Sequence, residues 1–242
     1  MSRPRQVRFA SVLIGLALVL WPLGSNVLAG AAPETSRGRS PQFGISVMPT
    51  LGAFVPRGGG DDRFDRELGL RVTGQIRMQP SERADILVGL AYESRAGAWS
   101  DYFGHGGQYV ECGGVRGYHR EVSLAYVLLP VRFRIMPMST RVRPYLLAGA
   151  EVGYLLDARE SGHNRCTGSE LPSRDVRAGL KDGVAEVTVG IGLAVPVAGR
   201  ASFIQLNLIE ALSALEPNRF GVEGSWPHMR SRVMGLEIGT WF

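Results

Sequence analysis

The sequence predicts an all-β protein in which eight antiparallel strands close into an up-and-down barrel that crosses a membrane. Three observations carry that expectation. Past an apolar leader, the chain holds eight amphipathic segments of about ten to twelve residues, close to the length a tilted strand needs to cross a bilayer. In several of them apolar residues alternate with small or polar ones, and a period of two puts different surroundings on the two faces of a strand. The segments are even in number and are joined alternately by long and short connections, the pattern of outer-membrane barrels.

The leader comes first along the chain. Arg3, Arg5 and Arg8 precede a short apolar run from Phe9 to Leu23, and Val27 and Ala29 fit a cleavage site. This is the pattern of a secretory signal peptide cut after Ala29, with Ala31 as a second candidate. An uncleaved anchor helix would need a longer run. No cysteine precedes Cys112 to carry a lipid. Residues 1–29 are therefore expected to be removed, 30–42 to form a short lead-in, and 43–242 to form one barrel domain.

The net charge of +5 includes three leader arginines and no leader acids, which leaves the rest near +2. So weak and dispersed a charge argues against nucleic acid as a partner. A composition 45% hydrophobic resembles that of a soluble protein, but a membrane barrel needs apolar residues only at alternate positions.

Strands are expected near 43–53, 67–78, 84–94, 122–135, 143–156, 184–195, 201–212 and 231–242. In the second, Leu68, Leu70, Val72 and Ile76 oppose Gly69, Arg71, Thr73, Gln75 and Arg77. The fourth is less regular, because Tyr126 to Val131 is nearly all apolar. The fifth sets Leu146, Ala148, Ala150, Val152 and Tyr154 against Gly149, Glu151 and Gly153. In the sixth, Ala185, Val187, Val189, Ile191 and Leu193 oppose Val184, Glu186, Thr188, Gly190 and Gly192. The last sets Met234, Leu236, Ile238, Thr240 and Phe242 against Val233, Gly235, Glu237, Gly239 and Trp241. A slip of one residue would exchange the two faces, so the register is well specified.

Connections 54–66, 95–121, 157–183 and 213–230 are long, whereas 79–83, 136–142 and 196–200 are short. Chain order sends the two kinds to opposite ends. The long ones are then external loops, and the short turns and both termini are periplasmic. Pro80 and Pro137 fall in short turns, where a missing N–H is tolerated.

Lipid offers the backbone no hydrogen-bond partner, so such a sheet must close on itself. Eight strands enclose a space that side chains fill. On the inward face, glycines such as Gly44, Gly149, Gly190 and Gly235 leave room, and Glu151, Glu186 and Glu237 share it with Arg71, Arg77, Arg132 and Arg134. Buried charges must be paired, so Arg71, Arg132, Glu151, Glu186 and Glu237 are expected to form a polar network in the lumen. Arg77 and Arg134 have the alternative of facing periplasmic water. A soluble ligand-binding barrel would turn its apolar face inward, which would leave a largely glycine exterior. Phe43, Phe133, Trp241 and Phe242 at the periplasmic side, with Tyr92 and Tyr154 outside, fit interfacial aromatic belts.

These residues also carry a resemblance. The stretch Tyr126-Val-Leu-Leu-Pro-Val-Arg-Phe-Arg, followed by Arg143-Pro-Tyr-Leu-Leu-Ala-Gly-Ala-Glu-Val-Gly-Tyr-Leu-Leu, resembles the paired motif of the outer-membrane protein beta-barrel domain family, the small porin-like barrels of Gram-negative bacteria. The terminal Gly-Thr-Trp-Phe is similar to the signal that such proteins show to the barrel assembly machinery, which makes Phe242 the expected assembly signal. The resemblance implies a fold and a place among outer-membrane lipids. It supplies no catalytic residues.

Cys112 and Cys166 are the only cysteines and fall in the second and third long loops. In an exported chain they are expected to form a disulfide. Closing about 55 residues would stabilise the fold by roughly 4 kcal/mol in the chain-entropy picture. Two separated free thiols are the alternative. His105, His119, His163 and His228 lie in predicted loops with no metal-ligand spacing, so neither a metal nor another cofactor is expected. Ser161 with His163 and Glu160 is the nearest candidate for a hydrolase triple, and solvated loop residues are the plainer reading. Gly58-Gly-Gly-Asp-Asp reads as a turn, since no helix follows it. The connection 95–121 carries Trp99, Tyr102, Phe103, Tyr109 and Tyr118 among glycines. Such aromatics suit recognition of an unidentified extracellular ligand, or else pack on one another. The leading functional expectation is a non-enzymatic scaffold presenting external loops. The alternatives are a rim-located lipid hydrolase or acyltransferase, and a narrow channel for ions or small solutes.

Overall fold

A computed structural model of the protein describes residues 40–56, 64–102, 117–138, 142–164, 167–197, 200–213 and 229–242. Nine strands occur among them: β1 (Gln42–Pro56), β2 (Phe64–Ser81), β3 (Ala84–Tyr102), β4 (Gly117–Ile135), β5 (Arg143–Asn164), β6 (Glu170–Asp175), β7 (Gly183–Val197), β8 (Arg200–Ala211) and β9 (Met229–Trp241). Eight of them form a ring in the order β1-β2-β3-β4-β5-β7-β8-β9, with β9 pairing back onto β1 and every neighbour antiparallel. β6 stands outside the ring and pairs with β5. The sheet has no open edge along the wall, which satisfies the backbone without water.

Alternation explains which way each wall residue points. Leu90, Leu129, Phe133, Leu146, Val152, Val189, Ile191, Leu206, Leu236 and Ile238 are all exposed on the outside. An unbroken apolar belt of this kind is untenable against water and natural against hydrocarbon. The opposite positions turn inward. Trp241 is a correction to the aromatic belt read from the sequence: it is buried inside against Phe203, their ring centroids 5.6 Å apart. The cause is parity, since Trp241 shares the inward face of β9 with Val233, Gly235 and Glu237.

The strands are longer than the sequence pattern suggests. β3 runs on to Tyr102 and β4 begins at Gly117, so much of the connection read as 95–121 is strand. β5 continues to Asn164, and β6 with a short 3-10 turn at Arg177–Gly179 occupies part of the connection read as 157–183. Beyond the apolar belt neither face is lipid, so the hydrophobic period fades. The ladder nevertheless continues, with Tyr102 opposite Gly117 and Tyr118 opposite Asn164.

A bulge in β5 resets which residues face inward. Tyr126 pairs with Leu155 and Ala125 pairs with Asp157, leaving Leu156 as an extra residue. An inserted residue exchanges the faces beyond it. Below the bulge Glu151 and Leu155 point inward; above it Ala158 and Glu160 are buried while Arg159 is exposed. Gly149 marks a close approach of two strands. A Cβ there would fall 2.8 Å from Cα of Arg132 and 2.5 Å from the carbonyl of Val131, so only glycine lets the Arg132 stem pass.

Candidate functional site

The lumen is filled in three layers. In the middle, seven charged side chains form one alternating chain: Glu186, Arg95, Glu93, Arg71, Glu151, Arg132 and Glu237. Arg71 reaches Glu151 at 2.6 Å and Glu93 at 3.3 Å. Arg132 donates from Nη2 to Glu151 at 2.9 Å and from Nη1 to Glu237 at 3.0 Å. Arg95 donates to both oxygens of Glu93 at 2.8 and 2.9 Å, to both oxygens of Glu186, and to Ser231 at 2.9 Å. Neutral donors complete the carboxylates. Thr188 donates to Glu151, while Ser46, Gln205 and Asn207 donate to Glu237 at 2.5, 2.7 and 2.8 Å. Every strand of the wall contributes at least one group, because inward alternation brings one polar position from each to the same level.

Toward the short-turn end lies a second layer. Asp85 pairs with Arg77 and Arg134 and accepts a hydrogen bond from Gln79 at 3.1 Å. The Arg134 guanidinium sits 4.8 Å from the ring centroid of Tyr145 and 5.5 Å from that of Trp241, so aromatic faces share in holding its charge. Leu87, Met136, Tyr145, Leu147, Phe203 and Trp241 pack into an apolar cluster around this layer. Arg77 and Arg134 are thus buried and paired rather than turned to water.

Toward the long-loop end the lumen is apolar. Phe54, Leu124, Tyr126, Leu128, Leu155 and Ala158 cluster there with Val176 and Leu180. The last two flank the 3-10 turn after β6 and are buried, so a loop segment folds inward to complete the plug. The two polar layers therefore hold five arginines, Arg71, Arg77, Arg95, Arg132 and Arg134, against five carboxylates, Asp85, Glu93, Glu151, Glu186 and Glu237, while the buried Glu160 pairs apart from them with Arg120 and Arg174. Charge balances across the two polar layers taken together.

The five network residues expected from sequence all lie in this chain. Glu93, Arg95 and Asp85 were missed. A signal existed, since Asp85, Leu87, Gly89, Ala91, Glu93 and Arg95 are one odd-numbered face, of which only Arg95 lies past the expected strand end at 94. Of the loop aromatics, Trp99 and Tyr102 lie on the extended end of β3 and Tyr118 on that of β4. Phe103 and Tyr109, like Cys112, Cys166, His105 and His228, fall outside the described residues. Phe242 follows directly on β9.

The hydrolase candidates are divided by the strand itself. Ser161 pairs with Glu121 and His163 with His119 on the outward face. Glu160 is buried on the inward face, held by Arg120 at 2.6 Å and Arg174 at 2.7 Å. The acid of the triple is therefore engaged elsewhere.

A family profile agrees with this architecture. The profile of a family described as outer membrane protein beta-barrel domain matches residues 40–212. Among curated proteins no sequence relative is found. Ail, the attachment invasion locus protein of Yersinia pestis, is a similar solved structure, with 13% identity, a TM-score of 0.41, and coverage of 84% of this chain and 100% of that one. Neisserial surface protein A aligns at 11% identity and a TM-score of 0.44, covering 84% of this chain and all of its own. OprG from Pseudomonas aeruginosa aligns at 10% identity and 0.42, covering 85% and 97%.

Proposed function

We propose that this chain, which belongs to the outer membrane protein beta-barrel domain family, is a sealed scaffold that presents its long-loop end to a partner outside the cell. It is an integral protein of the bacterial outer membrane, set in lipid. The observation that carries the reading is the three-layer lumen, which among the described residues is filled by an apolar plug, a seven-member ion chain and an aromatic-lined cluster. The ribbon that β3, β4, β5 and β6 build past the apolar belt supports a role at the surface. From the end of that belt near Val127, β4 continues by eight residues or more, roughly 25 Å at strand rise.

In this reading the leader is cut after Ala29, both termini and the short turns are periplasmic, and Phe242 is what the assembly machinery reads. Cys112 and Cys166 are bridged. The experiment is impermeant maleimide labelling of intact cells, with Cys112 and Cys166 replaced by serine and single cysteines placed at Ser161 or Arg83. Ser161→Cys should label on whole cells, Arg83→Cys only after lysis, and deletion of Phe242 should lower the labelled amount. The labelled chain should lack residues 1–29 by mass. Labelling of Arg83→Cys but not Ser161→Cys on intact cells would reverse the topology and overturn the reading.

A further inference from the structure

The geometry points to a divalent transition-metal site on the outward face of the β4–β5–β6 ribbon, anchored by His119 and His163. The sequence separates these residues by more than forty positions and shows no ligand spacing. Register brings them together. They are direct partners across β4 and β5, and their ring centroids stand 5.0 Å apart at an interplanar angle of 42°. The Leu156 bulge is what turns His163 to the same face as His119. Without that extra residue His163 would point inward.

Two carboxylates share the face. Glu121 lies two residues along β4, with Oε1 4.0 Å from Nε2 of His119. Glu170 is the direct partner of His163 on β6. Opposed residues in antiparallel strands hold their Cβ atoms about 4.5–5.5 Å apart. Side-chain rotation alone can then aim two imidazole nitrogens at one ion, at bonds of about 2.0–2.1 Å for zinc. Among the described residues no three such groups already converge on one point, so the imidazoles are the anchors and a carboxylate must turn in to join them.

The donor set chooses the class of ion. Imidazole with carboxylate suits zinc, copper or nickel, whereas magnesium and calcium prefer oxygen ligands throughout. Two imidazoles and one carboxylate leave one tetrahedral position, open to water or to a side chain from a partner. This site does not depend on the scaffold reading, since metal capture needs only the ribbon.

The test is calorimetric titration of the folded, untagged full chain in detergent micelles with Zn2+ alone. One ion should bind per chain. H119Q and H163Q should each weaken binding by at least about tenfold, the loss that even an outer-shell partner brings. His228, outside the described residues, is the control, and H228Q should bind as the parent does. Each variant is checked for folding by its mobility in unheated gel electrophoresis, and E121Q, which leaves both imidazoles in place, should weaken binding less than either histidine change. Absence of Zn2+ binding, binding unchanged in both H119Q and H163Q, or loss confined to H228Q would each overturn the site.

Discussion

Arg132 reaches Glu151 with one edge of its guanidinium and Glu237 with the other, and all three side chains are almost wholly buried. Removing a guanidinium from such a place does not merely delete two bonds. It leaves Glu237 in a low-dielectric space without its ion-pair partner, and Glu151 with Arg71 alone. Breaking a buried pair in this way destabilises by about 3–5 kcal/mol, although the intact pair adds far less because desolvation opposes it. Arg132→Met should therefore lower unfolding stability in detergent by about that amount, with its urea midpoint moving to match. Arg232 and Glu210 are also paired, at 2.6 Å, but Arg232 is 54% exposed. Breaking that pair should change stability by about 1 kcal/mol or less. Equal losses in the two variants would mean that the lumen is wetter than its packing indicates. The residues of this network were readable because a glutamate or arginine between apolar neighbours at period two has only the inside to go to. Glu93 and Arg95 obey the same rule; Arg95 lies one residue past the expected strand end at 94, whereas Glu93 lies inside the expected strand on its inward face.

Strand ends were the least legible elements. The apolar period that reveals a strand is imposed by lipid on one face, and it lapses where the ribbon leaves the belt. Arg159, Ser161 and His163 look like loop for that reason, although each has a backbone partner on β4. The Leu156 bulge was also invisible, since one extra residue in an apolar run leaves no mark in the pattern but exchanges both faces beyond it. Pairing at this end bears on the cysteines. Asn164, two residues before Cys166 in the chain, lies opposite Tyr118, which is six residues after Cys112. We propose that these short tethers allow the two thiols to bridge. Peptide mapping under non-reducing conditions should recover one cross-linked fragment containing both, and recovery of two free thiols would refute the bridge.

At the scale of the whole molecule, eight strands set the lumen's width and alternation sets its contents. Closure, strand number and the packed polar interior were all legible, because each follows from a period-two pattern in a solvent that cannot hydrogen-bond. The layering was not. Nothing local in the sequence says that Val176 and Leu180, from a connection, fold into the mouth beside Phe54 and Leu124. Nor does it say that a surplus acid in the middle layer is balanced by a surplus base near Asp85. These depend on which residues meet across the barrel, and that is fixed by register around the complete ring. Together the layers make a membrane-embedded body, and under the function proposed above its working surface is its outer ribbon rather than its axis. Planar-bilayer recording of the purified folded protein tests this most directly. A sealed lumen predicts no discrete conductance steps above the bare bilayer, whereas regular steps that scale with salt would contradict it.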